Sequence, residues 1–280
     1  MKYGACYVLC NEEDYLEYSL DSIYKYADKI YLLLGVPFNK GVNVKPDKTE
    51  EIIINYMKNK DIDKKIEFFK TDMRNESKCK NLLLDMCRED NMDYCWIVDG
   101  DEVYDGYLMK LLFNSIEKYK SEVVIAYCKE YWRSLQSIIA LSENYIMFKV
   151  LDDLNIRVRC PARNVSSTTI DPNYFQFHHY GLARTPNKIR EKYTITDNRE
   201  KTKVDTINEK KVHGFNLEKW MKEKFLAWKK DRSITHLHPF NKKVWNKPTV
   251  RMCKDGIPKV MRKHKWIGID CIEGEINEKI

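Results

Sequence analysis

The first half of the chain alternates continuous apolar runs with segments whose apolar residues recur at helical spacing. Short apolar runs bounded by glycine or polar residues are typical of buried strands, and a spacing of three and four residues is typical of helices. Five strands are predicted, over residues 3–10, 30–34, 66–70, 94–98 and 123–128. Four helices are predicted between them, over residues 15–24, 47–58, 75–88 and 106–119. This alternation predicts an α/β domain with a doubly wound, mostly parallel sheet.

The pattern changes after residue 130. Shorter strand signals follow at residues 145–150, 156–159 and 174–180, and the chain is basic from about residue 200 onward. One amphipathic helix is predicted there, over residues 215–230. We expect its apolar face to pack on the rest of the protein, with a membrane surface or a partner as the alternative. We therefore predict a main domain, residues 1–200, and a basic, partly helical C-terminal extension, residues 201–280, that packs on it.

The composition limits the cellular location and the kinds of partner that we expect. The 280 residues are 43% hydrophobic, which suffices for a sizeable core, and nine cysteines are scattered without a CxxC pair. With no recognisable secretory leader, reduced thiols and a cytoplasmic location are expected. Apolar runs fall far short of the ~20 residues of a transmembrane helix, which leaves at most a peripheral membrane contact. The formal charge of +7 favours an anionic partner: a phosphorylated small molecule, an acidic lipid or nucleic acid.

An acidic cluster directly follows the fourth predicted strand, in the stretch DYCWIVDGDEVYD. Asp99, Asp101 and Glu102 repel one another there and lose hydration unless a cation or hydrogen bonds compensate. Mg²⁺ and Mn²⁺ are held by one or two such carboxylates together with phosphate oxygens, and Gly100 lets a phosphate approach closely. An Asp-Gly-Asp tripeptide is also ordinary turn chemistry, so the cluster alone leaves both interpretations open. Neither GxGxxG nor GxxxxGK[ST] occurs, which weighs against dinucleotide and P-loop enzymes.

The acidic cluster is the last of four short motifs that follow one another along the chain. They are CYVLCNEED at the end of the first strand, SLDSI in the first helix, PDKTEEII at the start of the second, and WIVDGDE at the cluster. Together they resemble the family-2-like glycosyltransferases of the GT-A fold, over roughly residues 3–200. The resemblance implies a metal-dependent enzyme that moves a sugar from a nucleoside diphosphate sugar to an acceptor hydroxyl, with Mn²⁺ or Mg²⁺ as its cofactor. The acceptor, a glycan, lipid or protein, is not specified, and nucleic acid is not expected as a partner.

The same resemblance implies roles for particular residues. Asp99 and Asp101 would carry the metal that bridges the two phosphates, and Asp101 would thereby take part in catalysis. The nucleotide would be cradled by residues from the first-strand end, the second helix start and the cluster: Cys10, Asn11, Glu12, Asp47, Asp99 and Gly100. Members of the family commonly carry acidic residues after the second strand, whereas this chain reads LLLGVPFNK there. Uridine is therefore not specified as the base.

Two histidines, His178 and His179, follow the strand-like run near residue 176. Adjacent strand residues point to opposite faces, so only one of them can face the metal. Such enzymes often supply a further metal ligand from a His after the last core strand, and we favour His179. Four basic residues lie just beyond: Arg184, Lys188, Arg190 and Lys192. We expect some of them, with Lys188 as the named candidate, to contact the diphosphate, and a merely solvent-facing helix is the alternative.

An inverting transferase also needs a carboxylate base for the acceptor hydroxyl. Glu130, at the end of the fifth predicted strand, is our candidate, with Asp152 and Asp153 behind it. Two other functions stay open: a nucleotidyltransferase of similar fold, which normally shows a glycine-rich loop that CYVLCNEED lacks, and a non-enzymatic nucleic-acid or membrane binder built on the basic tail. Strongly salt-dependent binding to DNA or RNA would support the latter.

Overall fold

A ten-stranded sheet forms the centre of the protein in this computed structural model. The structure describes residues 1–38, 44–132, 134–135, 137–158, 160–185, 188–189, 191–192, 195, 251–252 and 257–265. The described strands are β1 (Tyr3–Leu9), β2 (Lys29–Leu34), β3 (Ile66–Lys70), β4 (Tyr94–Val98), β5 (Glu102–Val103), β6 (Val123–Trp132), β7 (Ser137–Lys149), β8 (Ile156–Arg157), β9 (Cys160–Pro161), β10 (Ser167–Thr169), β11 (Gln176–Leu182) and β12 (Arg251–Met252). The described helices are α1 (Leu16–Ile23), α2 (Thr49–Asn59), α3 (Glu76–Glu89), α4 (Gly106–Tyr119) and a short 3-10 helix (Lys259–Lys263).

The sheet runs in the order β3-β2-β1-β4-β7-β6-β11-β5, with β10 beside β6 and β12 beside β7. Strands β3, β2, β1 and β4 are mutually parallel, and β11 is parallel to β6. Strand β7 lies antiparallel to both β4 and β6, and β5 is antiparallel to β11. The predicted α/β fold with a mostly parallel sheet is therefore confirmed.

The second half of the sheet departs from the prediction in its details. Strand β6 continues to Trp132 instead of ending at residue 128, and β7 begins at Ser137 instead of residue 145. The sequence signal stops early because Lys129 and Glu130 interrupt the apolar run. In the sheet their backbones pair with His178 and His179 of β11, so the polar residues do not end the strand. The two long strands β6 and β7 form an antiparallel ribbon that a reading of apolar runs misses.

Alternation along β1 sends side chains to cores on both faces of the sheet. Ala5, Tyr7 and Leu9 join the cluster that contains apolar residues of α1, α2 and α4, whereas Cys6 joins the cluster of α3. Helices on both faces are what the doubly wound pattern requires. Two of the helices begin at side-chain caps: Asn75 accepts from the Lys78 amide at 2.9 Å before α3, and Asp105 accepts from the Tyr107 amide at 3.1 Å before α4.

Two pieces of the predicted C-terminal extension lie among the described residues, and both contact the main domain. Strand β12 pairs with β7, and Met261 packs in a third apolar cluster with Tyr15 and Tyr180. The predicted helix over 215–230 lies outside the described residues, and the boundary near residue 200 stays a prediction. None of the described helices has the length and hydropathy of a membrane-spanning segment.

Candidate active site

The carboxyl ends of β1 and β4 bring two predicted motifs together. The strands are parallel neighbours, with Tyr7 opposite Val98, so the residues that follow each strand meet at one edge. Asn11 adopts a left-handed conformation with φ of 55°, which turns the chain at the end of β1. A Cβ on Gly100 would lie 2.8 Å from Glu12 Cγ, so the glycine is needed for this close approach of the two loops.

Strands β6 and β11 complete the cluster from the far half of the sheet. The His179 Nε2 atom lies 3.3 Å from Asp101 Oδ1, and its Nδ1 atom lies 2.6 Å from Glu130 Oε2. His178 points to the opposite face, where its Nδ1 atom is 2.7 Å from the Tyr131 hydroxyl. The expected alternation thus separates the two histidines, and His179 is the one beside the acidic cluster.

Three of these side chains form a donor set that suits a divalent cation. Asp99, Asp101 and His179 each offer one ligand atom, and these atoms lie within 4.8 Å of one another. Asp101 Oδ1 and His179 Nε2 are both buried and face each other without hydrogen-bond geometry, and neither has another hydrogen-bond partner among the described residues. The two atoms contact each other as an ion pair without a hydrogen bond, and a cation bound between them would satisfy both. Carboxylate oxygens with one imidazole fit the coordination of Mn²⁺ or Mg²⁺.

Two cations also hold Asp101, from the far side of its carboxylate. Arg184 Nη2 donates to Asp101 Oδ2 at 3.0 Å and to Glu12 Oε2, and Lys192 Nζ contacts the same Asp101 oxygen. Lys192 lies 3.8 Å from Glu12 Oε1 as well. Burial alone would raise the pKa of Asp101, but Lys192, His179 and Arg184 hold it well below its usual range. Asp101 is therefore ionised at neutral pH.

The pKa values of His179, Glu130 and Glu102 are shifted as well. Burial by itself would lower the pKa of His179, but the carboxylates of Glu130 and Asp101 raise it to about 10. Burial would raise the pKa of Glu130, but His179 and a hydrogen bond from Ser142 lower it to about 2. Burial raises the pKa of Glu102 to about 7, and Tyr104 donates to its Oε2 atom at 3.1 Å.

The other predicted donor-binding residues form an adjoining polar network. Asp47 accepts from the Glu13 amide at 3.0 Å and from the Thr49 amide at 2.8 Å, which ties the loop after β1 to the start of α2. Lys188 Nζ lies 2.7 Å from Glu13 Oε1 and 4.0 Å from Asp47 Oδ2. Asn11 donates to the Lys45 carbonyl at 2.9 Å. Lys188 therefore reaches the predicted donor side of the site.

Two predicted residues stand apart from this network in their chemistry. Burial raises the pKa of the Cys10 thiol to about 12, so Cys10 is a neutral group at the end of β1. Asp153 pairs with Arg163, whose Nε lies 3.0 Å from its Oδ2 atom. The roles of Cys10 and Gly100 in nucleotide binding, and of Glu130 as a base, stay predictions.

Sequence reasoning missed two contributors to the cluster. Gly181 leaves space for the imidazole, because a Cβ there would lie 2.8 Å from His179 Nε2 and 3.4 Å from Asp101 Oδ2. Ser142 of β7 donates to Glu130 Oε1 at 2.7 Å. A glycine two positions after the predicted ligand histidine was the visible signal for the first. Nothing marked Ser142, because its strand position followed from pairing that the apolar pattern did not reveal.

No protein-family model matches the chain, and no curated protein sequence matches it. Among solved structures, the chain is similar to S. aureus TarS 1-349, with 12% identity and a TM-score of 0.44, over 68% of this chain and 63% of that one. It is similar to HddC from Yersinia pseudotuberculosis, with 10% identity and a TM-score of 0.41, over 68% and 97%. It is also similar to the mannosyltransferase PcManGT from Pyrobaculum calidifontis in complex with GDP-Man and Mn²⁺, with 14% identity and a TM-score of 0.37, over 53% and 44%.

The chain therefore spans less than two thirds of TarS 1-349, and 38% of the longer TarS structure. A glycosyltransferase is among the similar structures, as the motifs in the sequence led us to expect. At this low identity and structural overlap the likeness assigns no activity.

Proposed function

We propose that the protein is a metal-dependent glycosyltransferase that moves a sugar from a nucleoside diphosphate sugar to an acceptor hydroxyl. Asp99, Asp101 and His179 would hold Mn²⁺ or Mg²⁺. The observation that carries the proposal is the buried pair of Asp101 Oδ1 and His179 Nε2, 3.3 Å apart and without hydrogen-bond partners among the described residues. This pair stands at the carboxyl edge of a mostly parallel sheet, which is where such folds bind nucleotides.

When bound, the cation supplies positive charge to the diphosphate of the leaving group. The chain's own residues then have two tasks. Arg184, Lys188 and Lys192 line the cluster with positive charge, which favours the developing negative charge of a departing nucleoside diphosphate. The loop that carries Asn11 and Glu12, clasped by Asp47, offers polar groups for the donor on the adjacent side.

Lys192 has a particular part in this proposal. In the structure its ammonium group contacts Asp101 Oδ2, on the same carboxylate whose Oδ1 atom faces His179. A diphosphate that arrives with a cation brings its own negative charge, so Lys192 can exchange Asp101 for a phosphate oxygen without losing an ionic partner. Asp101 would then be one of the residues that hold the cation.

The test is the thermal stability of the protein with a panel of nucleoside diphosphate sugars, with and without Mn²⁺, and with excess chelator. The panel includes UDP-GlcNAc and GDP-Man, which are held by two of the similar structures. A donor at 100 times its Kd stabilises the native state by about 2.7 kcal/mol. We expect a shift that needs donor and Mn²⁺ together, is lost in Asp101→Asn, and persists in the exposed control Asp72→Asn.

Product analysis separates the related activities. Release of a nucleoside diphosphate from the donor supports glycosyl transfer. Release of pyrophosphate from a nucleoside triphosphate and a sugar phosphate would instead identify a nucleotidyltransferase. If no donor shifts the wild type with Mn²⁺ present, the proposed function is wrong, and salt-dependent binding to nucleic acid or anionic vesicles becomes the next assay.

A further inference from the structure

We propose that Glu130, together with Ser142, is a positioning residue that fixes the tautomer and orientation of His179 for metal binding, instead of acting as a base toward the acceptor. This inference rests on the proposed function, because it assigns a purpose to contacts made around the proposed metal ligand. It gives Glu130 a role different from the one that its sequence position alone suggested.

The sheet register places the side chains of Glu130, His179 and Ser142 on one face of the sheet. Glu130 and His179 are direct partners in the parallel pair of β6 and β11, so their side chains lie on the same face. Ser142 lies opposite Cys128, which is two residues before Glu130 on β6 and therefore shares that face. The pairing of β6 with β11 shifts by one residue after His179, and Gly181 stands within this irregularity. Irregularities of this kind commonly re-aim side chains beside active sites.

Two hydrogen bonds converge on the carboxylate of Glu130, one from each side. Ser142 Oγ donates to Glu130 Oε1 at 2.7 Å, and Glu130 Oε2 lies 2.6 Å from His179 Nδ1. Nδ1 therefore carries a proton that Glu130 accepts, and when a cation displaces the proton of Nε2, the imidazole keeps its Nδ1 proton and offers the lone pair of Nε2. That atom is the one that faces Asp101 Oδ1 at 3.3 Å. A histidine that binds a metal through one nitrogen and donates the other N–H to a carboxylate has this arrangement.

The same contacts argue against Glu130 as the base. Both of its carboxylate oxygens have partners within the protein, and Cys128 Sγ adds a third donor at 3.3 Å from Oε1. The side chain is 16% exposed. A base must come within hydrogen-bond reach of the acceptor hydroxyl, and Glu130 is directed toward His179 instead. Glu130 thus acts through the imidazole of His179.

The experiment measures Mn²⁺ binding by electron paramagnetic resonance for the full chain and for Glu130→Gln, Glu130→Ala and Ser142→Ala. Glu130→Gln keeps a hydrogen-bond acceptor without the charge, whereas Glu130→Ala removes both. Loss of such an outer partner typically weakens metal affinity by about 10- to 100-fold, and we expect Glu130→Ala to lie in that range, with Glu130→Gln between it and the wild type. The matched control is Glu143→Gln, an exposed glutamate of β7 that pairs with the Tyr127 hydroxyl, and it should bind Mn²⁺ as the wild type does.

A spectroscopic signature separates positioning from a general loss of structure. Electron spin echo modulation from a bound imidazole nitrogen should be present in the wild type and weak or altered in Glu130→Ala, at saturating Mn²⁺ and below the melting temperature of both proteins. A purely structural role would lower the melting temperature and leave this signature unchanged in the folded fraction, which would overturn the proposal.

Two further outcomes distinguish this inference from the proposed function. If Glu130→Gln binds Mn²⁺ with wild-type affinity but loses donor turnover, Glu130 acts as a base, and the positioning role is wrong while the glycosyltransferase proposal stands. If the wild type binds Mn²⁺ with no imidazole signature, His179 is not a ligand, and both the positioning role and the proposed ligand set fail together.

Discussion

Gly181→Ala is the smallest change that tests the geometry of the proposed metal site. A Cβ at Gly181 would lie 2.8 Å from His179 Nε2 and 3.0 Å from Cε1. The imidazole cannot simply swing away, because Nδ1 is held by Glu130 at 2.6 Å. Ordinary van der Waals contact begins near 3.4 Å, so the ring and the new methyl must separate by about 0.6 Å.

That displacement is large compared with the variation of ligand distances in metal sites, but a folded protein can accommodate it. Ligand distances in metal sites are kept within about 0.2 Å, so a shift of this size should weaken Mn²⁺ binding by at least about 10-fold. Overpacking by one methyl group typically costs about 1–3 kcal/mol of unfolding free energy, so the variant should remain folded. The backbone at Gly181 is not in the left-handed region, and alanine is therefore accepted there apart from the contact with His179.

The assay is Mn²⁺ titration by electron paramagnetic resonance, with urea unfolding without metal as the measure of stability. Gly35→Ala is the matched control: a Cβ at Gly35, just after β2, would meet its nearest atoms at 3.7 Å and 3.8 Å, so it should change neither quantity. If Gly181→Ala binds Mn²⁺ with wild-type affinity while remaining folded, the cation does not bind between Asp101 and His179, and the proposed ligand set is wrong.

Three further predictions concern stability, each measured by urea unfolding. Leu84→Ala, at a fully buried position of α3, should cost about 2–5 kcal/mol, whereas Leu82→Ala, 40% exposed on the same helix, should stay within about 0.5 kcal/mol; equal costs would contradict the assigned helix face. Asp105→Ala should remove the cap of α4 and cost about 1 kcal/mol, and no loss would mean that the cap is not formed. The pKa of Asp90 is lowered because Lys29 and Tyr31 donate to it, so the unfolded chain takes up its proton first as pH falls. The stability that Asp90 contributes is present above the ordinary aspartate value of about 3.9 and lost below it, and the difference between wild type and Asp90→Asn should shrink toward about pH 3; a constant difference would contradict this ion pair.

The part of the fold that local pattern determines was predictable from the sequence. Strands β1 to β4 are apolar runs with polar ends, and the helices α1 to α4 differ from the predicted ranges only near their ends. The position of β7 between β4 and β6 was not predictable, because strand order is decided by which buried faces meet and not by the periodicity of any one strand. The length of β6 was missed because the backbones of Lys129 and Glu130 pair with β11, which is distant in sequence.

The candidate site was likewise only partly predictable from the sequence. Asp99 and Asp101 stand out because acids after a buried strand are costly, and this cost is visible in sequence. Arg184, by contrast, was one of four candidate cations after His179, and its burial at 2% exposure came from the fold. Only the tertiary structure distinguishes a cation fixed between Glu12 and Asp101 from its solvated neighbours.

The placement of Arg184 also links the site to the far end of the chain. Its guanidinium carbon lies 5.1 Å from the centroid of the Tyr15 ring, and that ring stacks on His264 at 5.0 Å. Asp14 joins the same two regions, because Arg184 Nη1 lies 3.5 Å from Asp14 Oδ2 while Lys265 Nζ lies 2.8 Å from Asp14 Oδ1. Without residues 257–265, Asp14 would lose a cation and Tyr15 a stacking partner, and the guanidinium would be less firmly held. The C-terminal residues therefore contribute to the charge arrangement around Asp101, because they support the side chains against which Arg184 packs.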